Sequence, residues 1–315
     1  MIEALHSEVA PAPFRFSGHE SFACRYAWLP KAYRAIARNP AIFFDEEEAM
    51  VEMGIGKNMV RSLRFWIDAM GVARPEANKT HALTEFAHQV LAPDGFDPFL
   101  EDERTLWLLH WNVSSKSPGL FAWRYMLGEW PYPEFTRSEA LEAFKRQSAK
   151  LGFKHSEVTL AQHLDVFIHT YYAARKGKVA IEDSLDGPLV SLGLLVLSGE
   201  KRGETGRWEN VFSFRREPKS DITPKLFEYC IIDFWNRHAP QDGTLSLRML
   251  ATMPSSPGQV FKLTEDDVRQ RLEDISLSNA GAAFRYQPSA VQAMISRHGP
   301  LPTLKSIYDE RPHHV

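Results

Sequence analysis

The sequence predicts a mainly α fold with small β-ribbons, an α+β chain with a winged-helix-like module near each end. Three observations carry this. Apolar residues recur at helical spacing through most of the 315 residues. Glycine and proline clusters cut that pattern into segments of ordinary helix length. Short extended pairs bracket turn residues after two of the helical segments, near residues 72–83 and 279–287.

The elements follow in order. Residues 1–13 read as a loose leader, acidic and proline-containing, unlike a signal peptide. Residues 19–38 read as helix with an interruption near Pro30, and Asn39-Pro40 stops it. Asp45 to Met53 is a short acidic helix ended by Gly54. A second helix runs from about Lys57 to Met70 and stops at Gly71, a natural residue just past a helix end. Val72–Arg74 and Thr80–Leu83 are candidate strands around a turn at Pro75–Asn78, and Thr84 caps a helix to Leu91. Helix, glycine turn, helix and two-stranded wing is the winged-helix layout. "PDGFDP" at 93–98 marks a boundary.

Residues 99–112 read as an aromatic helix, and Thr136–Lys150 and Val158–Arg175 as two long amphipathic ones. Residues 191–217 read as two strands joined by a glycine-rich, charged loop, and 224–237 as helix. Leu245–Met253 is a short helix, "PSSPG" a break, and Thr264 caps a helix with Val268, Leu272 and Ile275 on one face. Asn279–Gln287 suggests a second wing, and the end after Tyr308 reads as loose tail. No internal sequence repeat or low-complexity tract stands out. The expected organisation is a winged-helix-like DNA-binding domain over 14–95, a helical middle region with a β-hairpin over 96–222, and a winged-helix-like C-terminal domain over 223–300.

The stretch "MGIGKNMVRSLRFWIDAMGVA", residues 53–73, says the most about chemistry. Placed on a helical wheel, Val60, Leu63, Trp66, Ile67 and Met70 form one apolar arc. Lys57, Arg61 and Arg64 stack on a separate stripe, joined by Asp68, while Asn58, Ser62 and Phe65 occupy a third sector. A basic stripe can neutralise phosphates. The helix start offers free N–H groups to a phosphate oxygen, and asparagine suits a bidentate contact with adenine. Lys57, Asn58, Arg61 and Arg64 are therefore candidate DNA-binding residues. A nucleotide-binding P-loop fails on spacing, since that motif needs GxxxxGK followed by Ser or Thr after a strand. A solvated stripe, or a winged helix that touches only protein, remains the competing reading. Lys201, Arg202 and Arg207, on the loop "GEKRGETGR", could form a DNA-contacting wing or a solvated tip.

"FSGHESFACRYAWLPKAY", residues 16–33, concentrates reactive types. His19 could act as general base, Glu20 could hold a metal, and Arg25 could offset transition-state charge around a phosphodiester. Alternatively Ser17 and Glu20 form a helix capping box, leaving His19 and Arg25 as packing or surface residues. Asp97, Glu101, Asp102 and His110 are metal-competent in type, yet equally read as a helix start. His163, Asp165 and His169 read as core or surface. The chain has no HNH arrangement and no HxK…D pair, and in Glu217-Pro218-Lys219 the proline interrupts the strand that a nuclease Asp…ExK motif needs.

The net charge is −3, which excludes a globally basic binder but not a local basic face. The two cysteines, Cys24 and Cys230, are far apart, so neither a disulfide framework nor a cysteine zinc site is expected. The longest apolar run, Leu192–Leu197, is far short of the ~18 residues of a membrane span. A cytoplasmic protein without membrane contact is the expectation.

The stretches 16–33 and 53–72, followed by "DPFLEDERTLWLLHW" at 97–111, resemble the bacterial domain-of-unknown-function family that includes SspB, the DNA-nicking component of the Ssp DNA phosphorothioation system. The resemblance implies a DNA-nicking protein that works in phage defence on double-stranded DNA. It implies as partners a cysteine desulfurase, an ATP-dependent sulfur-transfer enzyme and an ATPase. It carries no catalytic triad onto this chain. The combined expectation is a DNA-binding nicking endonuclease that uses a divalent metal, Mg²⁺ or Mn²⁺. The alternative is a non-enzymatic winged-helix DNA-binding adaptor that recruits the sulfur-transfer partners.

Overall fold

Gly18 and Glu20 take left-handed backbone angles, φ 107° and 52°, which no helix tolerates. The helix expected from residue 19 therefore starts only at α1 (Trp28–Arg38), and the Ser17–Glu20 capping box does not form. Pro30 falls in the first turn of α1, where its missing N–H costs nothing, so it interrupts nothing. The computed structural model describes residues 14–116, 119–173, 187–204, 206–278 and 282–310. The expected leader at 1–13, the tail at 311–315, and the predicted ends Arg175 and Asn279 lie outside them.

Past a 3-10 turn at Ile42–Phe44 come α2 (Glu46–Met53) and α3 (Lys57–Ala69). Asp45 caps α2 by accepting from the N–H groups of Glu47 and Glu48, and Gly54 ends it at φ 67°. Strands β1 (Ala73–Pro75) and β2 (His81–Leu83) pair antiparallel, and α4 (Glu85–Leu91) starts at the Thr84 cap. The middle of the chain holds α5 (Glu103–Ser115), α6 (Phe121–Gly128), β3 (Glu134–Thr136), α7 (Arg137–Lys150), α8 (Glu157–Tyr171), β4 (Leu195–Arg202) and β5 (Trp208–Phe214). Helix α8 stops at Tyr171 rather than running to Arg175. The remainder is α9 (Pro224–His238), β6 (Thr244–Ser246), α10 (Leu247–Thr252), α11 (Pro257–Val260), α12 (Glu265–Ser278), β7 (Phe284–Gln287), β8 (Met294–Arg297) and α13 (Leu304–Asp309).

The mainly α, α+β reading with small β elements holds. The sequence suggests a recurring pattern at the two ends only, and the structure has a related topology in the middle as well. In the middle, helix α6 leads to a short strand, two helices and a hairpin, with sheet order β3-β5-β4. In the C-terminal part, α9 leads to a short strand, three helices and a hairpin, with the equivalent sheet order β6-β8-β7. The N-terminal part has the helices and the hairpin but only a two-stranded sheet. There the backbone N–H of His81 donates to Pro40 O at 2.8 Å, at the place where β3 and β6 add full strands elsewhere. Strand β3 escapes sequence reading because, unlike the equally short β1 and β2, it has no partner across a local turn and pairs instead with the distant β5.

One aromatic core runs through the chain, with Trp66, Trp107, Trp111, Trp123 and Trp235 fully buried. Their indole N–H groups all find acceptors: Phe22 O, Asp221, Asp233, Tyr171 and Asp242 O. A buried polar chain ties four helices together. Trp123 donates to the Tyr171 hydroxyl at 2.8 Å, that hydroxyl donates to His110 Nδ1 at 2.7 Å, and His110 Nε2–H donates to Val260 O at 2.8 Å. Both His110 nitrogens are used by the neutral ring, and burial lowers its pKa to about 4. Among the described residues no helix is long and apolar enough to cross a membrane.

Candidate nucleic-acid interface

Helix α3 begins at Gly56, an N-cap with no side-chain oxygen, so its first N–H groups have no side-chain cap. Lys57 and Asn58 are exposed beside them. Val60, Leu63, Trp66, Ile67 and Met70 are buried as the wheel predicted. The third sector is also covered: Ser62 and Phe65 are buried. The 17–24 segment lies on them, with Ser62 Oγ and Trp66 Nε1 both donating to Phe22 O. A Cβ on Gly18 would sit 2.9 Å from a Phe65 ring carbon. Gly18→Val is therefore expected to cost about 1–3 kcal/mol through backbone strain, plus the clash. A lowered urea midpoint at unchanged slope would register it, and an unchanged midpoint would refute the account.

The basic stripe is present but not free. Glu46, on the acidic α2, accepts from Arg61 Nε at 2.7 Å and from Arg61 at 3.3 Å, and pairs with Lys57 Nζ at 3.0 Å. Arg61, then Lys57, hold the Glu46 carboxyl well below its usual range, at about 2. Arg64 donates to Phe43 O at 3.3 Å and so braces the 3-10 turn. Asp68 closes the stripe, paired with Arg15 at 2.6 Å. The wheel places the cations correctly; it carries no information about a carboxylate from the preceding helix. The run Glu46-Glu47-Glu48, at the start of the helix that precedes the glycine turn, is the available signal.

His19, expected as a general base, is turned inward and is 1% exposed. The Ala122 N–H donates to His163 Nε2 at 3.0 Å, so His163 carries its proton on Nδ1 and donates it to His19 Nε2 at 2.8 Å. His19 Nδ1–H in turn donates to Glu20 O at 2.8 Å. No lone pair remains to take a proton from a substrate, and burial lowers the pKa of both rings, His163 the further. His19 instead clamps the left-handed turn that presents Glu20. Glu20 is half-exposed and close enough to Arg61 to act on it electrostatically. Arg25 is half-exposed, its guanidinium 5.8 Å from the Trp28 ring centroid.

Of the other candidate acids Glu101 is exposed, while Asp97, Asp102 and Asp165 are occupied. Asp97 accepts from the backbone N–H groups of Glu101 and Asp102, and Asp102 caps α5 and pairs with Arg104 at 2.6 Å. Asp165 takes a two-bond contact from Arg137. Among the described residues no three His, Cys, Asp or Glu side chains converge as a metal-ligand set. The expected Mg²⁺ or Mn²⁺ thus has no ready-made cage of protein ligands among them. At the β4–β5 tip Lys201 pairs with Glu139 at 2.6 Å, Arg202 donates to Gly206 O, and Arg207 is exposed. Trp208, next to it, is 69% exposed and was not singled out in the sequence.

Comparison with known proteins gives two kinds of match. The family described as "Protein of unknown function (DUF4007)" matches residues 16–306. A magnesium ion-bound SspB crystal structure is similar, with a TM-score of 0.81 and 27% identity over 96% of this chain and 91% of that one. A second SspB crystal structure has a TM-score of 0.79 and 26% identity over the same shares. No curated protein matches the chain.

Proposed function

We propose that this chain, which belongs to the DUF4007 family, binds DNA and nicks one strand in the manner expected of an SspB-type protein of a phosphorothioate-modification system. The observation that carries the reading is the uncapped start of α3, with exposed Lys57 and Asn58 and, a turn on, Arg61, beside the turn that presents Glu20. The winged-helix assignment of the parts over 14–95 and 223–300 belongs to the same proposal, supported by the succession of helices and hairpin in each. Helix α12, in the position of a recognition helix, is rich in Glu and Asp, so the N-terminal element is the better DNA face.

Strand cleavage requires water to attack phosphorus, forming a new P–O bond as a P–O ester bond breaks, with the leaving oxygen taking up a proton. Glu20 is the candidate acceptor for the proton of water, and Arg25 offsets charge on the phosphoryl oxygens. His19 is a positioning residue for Glu20, not the base. Divalent-cation dependence is part of the proposal because the similar SspB structure contains magnesium. Partners in this reading are the sulfur-transfer and ATPase proteins of the same system, acting in phage defence in the cytoplasm.

Supercoiled plasmid conversion tests the proposal. Open-circle product is expected with added Mg²⁺ or Mn²⁺, suppressed by EDTA and at least tenfold slower in Glu20→Gln. DNA binding without conversion under either metal would reject nicking and leave the non-enzymatic adaptor.

A further inference from the structure

Of the eight tryptophans, seven are buried, between 0% and 8% exposed, and Trp208 alone stands in solvent at 69%. An indole left in water forgoes the largest apolar contribution a side chain can make. Among the described residues its N–H has no acceptor and its ring touches no other ring or cation. The surrounding hairpin, by contrast, is tightly built. Strands β4 and β5 stay paired out to Arg202 opposite Trp208. On one face, Lys201 pairs with Glu139, and Glu209 accepts from Ser138 Oγ at 2.5 Å, so those charges are held against α7. Strand alternation puts Arg202 and Trp208 together on the opposite face. Arg207 adjoins them, and these two arginines stand against two exposed carboxylates, Glu200 on the same strand face and Glu204 at the turn. The paired strands thus present an exposed aromatic plane beside Arg202 and Arg207 on the face turned away from α7.

We propose that this tip is a nucleobase-stacking site, Trp208 receiving a base from an unpaired or nicked stretch of DNA while Arg202 and Arg207 meet the flanking phosphates. Aromatic stacking is indifferent to base identity, because every base has a flat π-face, and it requires a base that has left its own stack. The inference rests on the DNA-binding reading above. It adds that the protein distinguishes opened from intact duplex, through a residue far from α3 in sequence.

The test uses the full chain and labelled oligonucleotides of one sequence, either as intact duplex or with a three-nucleotide unpaired bubble. By fluorescence anisotropy the wild type is expected to prefer the bubble about tenfold. Trp208→Ala should lose that preference with intact-duplex affinity unchanged within twofold, and Trp208→Phe should keep most of it. Bubble DNA should also shield the acrylamide-quenchable tryptophan emission, a fraction that Trp208→Phe removes. Equal preference in wild type and Trp208→Ala, or none in the wild type, overturns the stacking site and leaves duplex binding standing. Absence of binding to either DNA overturns both.

Discussion

Acidification from pH 7.5 to pH 5 is expected to lower the melting temperature by several degrees, well before any carboxylate pair opens. His110 is held neutral by burial, with its pKa brought from 6.5 to about 4. The unfolded chain takes up a proton below pH 6.5 and the folded chain does not. The stability is therefore complete above the unfolded value and drains away as pH falls toward the folded one. At pH 5 this one group costs roughly 2 kcal/mol. His163 and His19 shift in the same direction for the same reason and add to it. The partly exposed Glu46 pair loses its contribution only between its ordinary range and about 2, so it is still fully in place at pH 5 and adds nothing to this loss. Thermal melts across this range in wild type and His110→Gln check the assignment. The variant should be less stable at pH 7.5 and lose less on acidification; parallel pH slopes would refute it.

The second large effect concerns the stripe on α3. If Lys57 and Arg61 meet phosphate, they must exchange Glu46 for DNA. Glu46→Gln is then expected to tighten DNA binding several-fold. It should also steepen the dependence of log affinity on log salt by about one, the change expected for one more phosphate contact. Arg61→Glu should weaken binding by at least tenfold, an order-of-magnitude figure, with the circular dichroism spectrum unchanged. The ion pair is partly exposed, and such pairs hold little folding energy, so both variants should keep a urea midpoint close to that of the wild type. Gel shifts and salt titrations separate the cases. Weaker binding in Glu46→Gln would show that the carboxylate orders the cations for DNA rather than competing with it.

The local turns were readable. Thr84 and Thr264 cap their helices as the sequence predicts, because each one's oxygen needs only a backbone N–H three residues away. Asp45 and Thr136, read as first helical residues, and Thr223 prove to be caps of the same kind. Gly54 and Gly71 end helices because only the left-handed region fits there. The stripe of Lys57, Arg61 and Arg64 followed from helical geometry alone.

The residues whose roles changed did so through partners distant in sequence. His19 looks reactive in its own stretch and becomes inert because His163, 144 residues on, fills its free nitrogen. Ser62 and Phe65 look open on the wheel and are closed by the 17–24 segment. Glu46 and Arg61 join across a glycine turn, and Trp208 stands exposed only because paired strands carry it beyond the core. Backbone angles, caps and helical faces are written in neighbours within about four residues, where spacing along the chain is distance in space. Which side chain is buried, neutralised or left bare depends on segments brought together by the aromatic core, and one sequence contains no measure of those distances.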